Sequence, residues 1–93
     1  MLVACLRIQL HLPGCKSLKE KRFVLNSLKD RLRSRFNLAL CETDYQDKWQ
    51  RSALAIVTIA GSRKGVDKSV QAITTFLERQ ERAVLIECDK EFY

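Results

Sequence analysis

The stretch LVACLRIQLHLPGCKSLKEKRFVL, residues 2–25, changes its hydrophobic period near the middle from two residues to about 3.6 residues. Before the change, six apolar side chains share one face: Leu2, Ala4, Leu6, Ile8, Leu10 and Leu12. This alternation predicts a half-buried strand, and Pro13-Gly14 predicts the turn that ends it. Residues 17–20, Ser-Leu-Lys-Glu, then have the capping-box pattern, which predicts a helix N-terminus at Ser17.

The rest of the chain extends this alternation of strands and helices. Apolar residues at helical spacing predict helices over about 18–35 and 66–79, and strands are expected over 37–43, 53–60 and 83–88, followed by a short tail. The order strand, helix, strand, strand, helix, strand predicts an α+β ferredoxin-like sandwich. We expect one domain over 1–93, with an antiparallel sheet of strand order 4-1-3-2 and both helices on one face.

Composition restricts the class of protein. The 93 residues are 46% apolar and 30% charged, which is typical of a globular protein, and the net charge is +6. No apolar run approaches the roughly 18 residues of a membrane span, and residues 2–12 lack the features of a signal peptide. Four cysteines without a CxxC pair favour reduced thiols over disulfides. We therefore expect a cytoplasmic protein without a membrane partner.

The positive charge is concentrated in residues 16–35. This segment holds eight Lys and Arg residues against Glu20 and Asp30, so it accounts for the whole net charge of +6. Four cations fall within one arc of about 80° on the predicted helix, and a fifth precedes it. Together they form the basic stripe: Lys16, Lys19, Arg22, Lys29 and Arg33.

A basic stripe of this kind favours an anionic partner, and RNA or ribosomal RNA is the foremost candidate. A merely solvated helix face is the alternative, and a membrane surface is disfavoured because the apolar arc is needed for the core. RNA-recognition motifs stack bases on aromatic side chains of the sheet, but residues 2–12 and 53–60 contain no aromatic residue. Contact with RNA is therefore expected at the helix, mainly to phosphates.

The predicted connection 44–52 is a second candidate site. Its proposed partner-binding residues are Asp47, Trp49, Gln50 and Arg51. Trp49 and Arg51 could clamp a partner, and Asp44 with Asp47 could hold a divalent ion. Alternatively, the aspartates shape turns and the indole covers the sheet edge.

The strand 53–60 is apolar on both faces, which suggests a homodimer formed through the open sheet face. Partial shielding by Trp49 or by the Phe92-Tyr93 tail is the alternative, and the pattern leaves open which face is exposed.

No catalytic constellation is apparent. The chain has a single histidine, His11, at a strand end, and a metal site built from His11 and Cys15 would lack ligands. A phosphate pocket at the helix N-terminus is disfavoured because Ser17 and Glu20 already satisfy backbone donors there. We expect no enzyme activity, no cofactor and no bound metal.

Two stretches, residues 6–37 and ETDYQDKWQRSALAIVTIA at 42–60, resemble the YlxP-like bacterial family, a domain of unknown function. The characteristic segments are SLKEKR at 17–22 and ETDYQDKWQR at 42–51. The resemblance implies a ferredoxin-like fold, a bacterial cytoplasm and, through neighbouring genes of translation, an association with the ribosome. It implies no catalytic residue. The expected function is a non-catalytic RNA- or ribosome-binding module; the alternative is protein interaction or dimerisation through the sheet face and the connection 44–52.

Overall fold

A computed structural model describes residues 1–93. The chain forms four strands and two helices in the predicted order, β-α-β-β-α-β. Their bounds are β1 Leu2–His11, α1 Leu18–Arg35, β2 Leu38–Asp44, β3 Arg51–Ala60, α2 Arg63–Glu78 and β4 Val84–Phe92.

The four strands form one sheet of order β2-β3-β1-β4, in which every neighbouring pair is antiparallel. This is the predicted order counted from the opposite edge, so the ferredoxin-like prediction is confirmed. In the centre of the sheet, Leu6 of β1 lies opposite Ile56 of β3. Residues with even numbers on these two strands face the helices, and residues with odd numbers form the open face.

The core lies between the helices and this even-numbered face. Leu6, Leu10 and Ile56 are fully buried there, packed in one cluster with Leu28 of α1 and Ile73 of α2. Ser17 is the N-cap of α1, and its hydroxyl accepts from the backbone N–H of Glu20 at 3.1 Å. The cap and the spacing of the apolar residues therefore set α1 as predicted.

Strand β4 is longer than predicted. Residues after Cys88 were expected to form a tail, but the strand continues to Phe92, which lies opposite Ala4 of β1. Tyr93 extends the pairing, because its backbone N–H donates to the carbonyl of Val3 at 2.7 Å. The charged residues of this segment lie on an edge strand, where solvent accepts them, so a polar composition does not prevent pairing.

Neither α1 nor α2 combines the length and the apolar composition that crossing a bilayer would require.

Candidate functional site

The basic stripe lies on the solvent side of α1. Lys19, Arg22 and Arg33 are exposed and Lys29 is half-buried. Arg33 approaches one carboxylate, that of Asp30, at 3.8 Å, and both side chains are more than half exposed. Such a surface pair contributes little and is screened by salt. The other three stripe cations on the helix, Lys19, Arg22 and Lys29, form no ion pair.

Lys16, the fifth residue of the stripe, lies just before α1 and its side chain is exposed. Its backbone N–H donates to the carboxylate of Glu20 at 2.9 Å. Glu20 and Ser17 together therefore occupy backbone donors at the helix N-terminus, which is the arrangement of a capping box shifted by one residue. The side chain of Lys16 remains free to face solvent beside Lys19.

Lys21 is the exception among the cations of residues 16–35. Its side chain is buried, with 1% of the residue exposed, and its Nζ lies 3.0 Å from Oε2 of Glu42 on β2. Nζ also donates to the carbonyl of Tyr45, and the hydroxyl of Ser52 donates to the same Glu42 oxygen at 2.7 Å. Counting charges along the sequence missed this network. The available signal was position, since Lys21 lies at the centre of the apolar arc, three residues before Val24.

The opposite flank of α1 faces α2. Arg31 donates from Nη1 to the side-chain oxygen of Gln80 at 2.7 Å, and the guanidinium of Arg35 lies 5.0 Å from the ring centre of Phe76. Helix α1 therefore carries basic side chains on both sides of its exposed surface. The sequence pattern had indicated only the side that bears the basic stripe.

The connection between β2 and β3, residues 45–50, is bound to the loop between β1 and α1. The side-chain amide of Gln50 donates to the carbonyls of Pro13 at 3.3 Å and Cys15 at 3.1 Å. The carbonyl of Gln50 accepts from the backbone N–H of Leu12 at 2.9 Å. Gln50, predicted to bind a partner, thus holds two loops of the protein together.

Arg51 also acts within the chain. It donates to the side-chain oxygen of Gln9, and its guanidinium lies 5.0 Å from the ring centre of Tyr45. Its Nε is buried without a hydrogen-bond partner. Four residues of this region were proposed to bind a partner. Of these, only Asp47 and Trp49 have side chains that are exposed and form no hydrogen bond or ion pair within the protein, and 52% of Trp49 is exposed.

Asp44 shapes the turn at the end of β2. Its carboxylate accepts from the backbone N–H of Tyr45 at 2.7 Å, and Tyr45 has a positive φ of 61°. This agrees with the turn-forming alternative. No group of three or more His, Cys, Asp or Glu side chains comes together in a way that could hold a metal ion. All four cysteines are free thiols.

The open face of the sheet is apolar around β3 and acidic toward β4. Val57 and Ile59 of β3 are 40% and 44% exposed, which settles which face of this strand meets solvent. A shallow pocket of about 320 Å³ lies beside them, toward β2. Toward β4 the face becomes acidic, and Glu91 pairs there with Arg7. Trp49 and Tyr93 are themselves 52% and 63% exposed, and Val57 and Ile59 stay partly accessible to solvent.

Comparison with known proteins gives a family without an assigned activity. The sequence model described as "Protein of unknown function (DUF503)" matches residues 3–90. The chain is also 39% identical over 62 residues, covering 67% of each chain, to the uncharacterized protein YlxP of Bacillus subtilis (strain 168). The family model therefore extends over the basic stripe, Lys21 and the β2–β3 connection alike. The chain therefore belongs to the DUF503 family of proteins of unknown function.

Proposed function

We propose that this protein is a non-catalytic module that binds RNA, ribosomal RNA included, through the basic stripe of α1. The observation that supports the proposal most is the lack of neutralisation along the stripe: Arg33 alone has a carboxylate within 4 Å, at 3.8 Å. A face that merely needed solubility would do as well with mixed charges. A cytoplasmic setting and a role in ribosome maturation or translation form part of the same proposal.

The length of the stripe suits a phosphate backbone. Lys19 and Arg33 are 14 residues apart, which corresponds to about 21 Å of helix axis. A nucleic-acid strand carries on the order of six phosphates over that length. Lysine and arginine side chains reach phosphates without reading base edges, so the expected binding is salt-dependent and weakly selective for sequence.

The test measures binding of a structured RNA by fluorescence anisotropy between 50 and 200 mM salt. Four phosphate contacts predict that the affinity falls on the order of 100-fold over this range. The stripe variant replaces Lys19, Arg22, Lys29 and Arg33 with Gln. Glutamine is a good helix former, so α1 should remain folded. We expect the variant to bind much more weakly and to lose most of the salt dependence.

A matched control removes the same charge elsewhere. The control variant carries Gln at four exposed lysines outside the stripe that form no ion pair: Lys48, Lys64, Lys68 and Lys90. It should bind like the wild type, apart from a small uniform loss from the lower net charge. Equal loss in the two variants would mean that total charge, and not the stripe, determines binding. Undiminished binding by the stripe variant would contradict the proposal outright.

A second candidate function is protein interaction through the open sheet face and the β2–β3 connection. The supporting observation is that Val57, Ile59 and Trp49 are each at least 40% exposed. Light scattering at micromolar concentration tests the dimeric form. A dimer that Val57→Lys converts to a monomer supports this candidate, and a monomeric wild type argues against the dimer.

A further inference from the structure

Phe23 occupies the outward crest of α1. Its residue is 69% exposed, the largest value for any aromatic side chain in the protein. On the helix it lies between the basic stripe on one side and Arg31 on the other. The ring is not part of the buried core cluster. A single exposed apolar side chain is common on protein surfaces, so what distinguishes Phe23 is the groove beside it.

A groove runs from Phe23 along the side of α1 that faces the connection after α2. Its first part, about 350 Å³, is lined by Phe23, Arg31, Arg79 and Arg82, with Glu81 as the one acidic side chain. A second part of about 490 Å³ shares Arg31 and Arg79 and continues to Arg35. Four arginines therefore line the combined groove against one carboxylate, which makes it complementary to an anion.

Arg31, at the junction of the two parts, is already held in place. Its Nε donates to the carbonyl of Ser27 at 3.3 Å, its Nη1 donates to Gln80 at 2.7 Å, and its Cζ lies 5.8 Å from the ring centre of Phe76. Two of the five guanidinium N–H donors are used, so the others are free for a ligand. An arginine fixed in this way binds a phosphate with little further loss of side-chain entropy.

We infer that this groove binds an unpaired nucleotide, with its base stacked on the ring of Phe23 and its flanking phosphates on Arg31, Arg79 and Arg82. The inference rests on the RNA binding proposed above and adds the kind of RNA: a loop, bulge or end rather than a continuous duplex. Single-stranded nucleic acids are recognised through aromatic stacking combined with a basic groove. An acidic peptide could also bind the arginines, and the test below distinguishes it from RNA.

The test compares two RNAs with equal numbers of phosphates: a hairpin with an unpaired loop and a blunt duplex. The wild type should prefer the hairpin. Phe23→Ala should weaken hairpin binding by about fivefold to 150-fold, the loss expected for one stacked base, and leave duplex binding unchanged. Phe23→Trp, which keeps an aromatic face, should retain the preference. Because Phe23 is exposed, both variants should unfold at the wild-type temperature.

The two proposals fail separately. Suppose that Phe23→Ala binds both RNAs as tightly as the wild type, whereas the stripe variant loses binding. This result overturns the stacked nucleotide and leaves the stripe proposal standing. Equal affinity of the wild type for the hairpin and the duplex does the same. Binding of neither RNA contradicts the RNA function itself. Displacement of the hairpin RNA by an acidic peptide at the same concentration would assign the groove to a protein partner instead.

Crosslinking gives a readout independent of affinity. With 5-iodouridine in the hairpin loop, irradiation should join the RNA to the peptide that contains Phe23. Crosslinks confined to the peptide containing Trp49 would overturn the assignment, since they would place the unpaired nucleotide at the β2–β3 connection.

Discussion

The ammonium group of Lys21 lies 3.0 Å from the carboxylate of Glu42, and this buried pair joins α1 to β2. Each partner belongs to one of the two segments that carry the family resemblance, SLKEKR at 17–22 and ETDYQDKWQR at 42–51. Gln50 links the second segment to the loop that precedes the first. Contacts of Lys21 and Gln50 therefore join the second segment to α1 and to the loop before it, and they position the helix that bears the basic stripe.

Removing Lys21 should destabilise the protein strongly. The variant Lys21→Met keeps the length of the side chain but leaves the carboxylate of Glu42 without its cation in a largely buried position. We expect the free energy of unfolding to fall by about 3 kcal/mol. Urea denaturation followed by circular dichroism measures it.

The double variant Lys21→Met/Glu42→Leu is the control for this prediction. It removes both charges together, and we expect it to recover about 1 kcal/mol or more relative to Lys21→Met. A single variant as stable as the wild type would show that solvent reaches Glu42 and that the pair is not a structural contact.

The two isoleucines of β3 should differ sharply in their contribution to stability. Ile56 is fully buried under the helices, whereas 44% of Ile59 is exposed on the open face. Ile56→Ala should cost about 3 kcal/mol of unfolding free energy, because it leaves a cavity in the core. Ile59→Ala should cost about 1 kcal/mol or less in a monomer. A large effect of Ile59→Ala that grows with protein concentration would indicate a dimer through this face.

The cysteines should react with iodoacetamide at very different rates. Cys41 is exposed, whereas burial raises the pKa of the Cys15 thiol and also that of the Cys88 thiol. The thiolate is the reacting form, so at pH 8 a raised pKa and burial both slow alkylation. Mass spectrometry after a short pulse should find Cys41 modified at a rate on the order of tenfold above that of Cys15. In urea, where the protein is unfolded, the two cysteines should react at similar rates. Equal rates in the native protein would contradict the described burial of Cys15.

Acid should release a contact on the open sheet face. A hydrogen bond from Tyr93, together with the guanidinium of Arg7, lowers the pKa of Glu91. A carboxyl group with a lowered pKa in the folded state stabilises the fold above its ordinary pKa, and this contribution is lost as the pH falls through the lowered value. Carbon-detected NMR titration should show the pKa of Glu91 rising toward its ordinary range in Tyr93→Phe and in Arg7→Gln. An unchanged pKa in both variants would mean that the contacts do not form in solution.

Local signals were sufficient to predict most of the fold. The alternation in β1 and the Ser17 cap fixed the first strand and helix, and the strand order followed from topology. The predicted β4 ended too early, at Cys88, because the residues that follow, such as Asp89 and Lys90, are polar on both faces. An edge strand can pair through its backbone alone, and no local hydrophobic pattern reports that pairing.

The candidate site was only partly predictable for a related reason. The stripe follows from positions along one helix, but Lys21 and Gln50 make their contacts with residues distant in the sequence. In the sequence, Lys21 counts only as part of the positive charge of residues 16–35, and Gln50 is predicted to be a partner-binding residue of the connection 44–52. The groove beside Phe23 depends on the connection after α2 lying against α1, which the spacing of residues within one element does not reveal.

The β2–β3 connection is held at both ends, at Tyr45 by Lys21 and at Gln50 by the loop before α1. Trp49, which is 52% exposed, therefore lies in a short connection anchored on both sides. Anchoring of this kind lowers the entropy that a docking partner would lose in ordering the connection, and so favours a longer residence time.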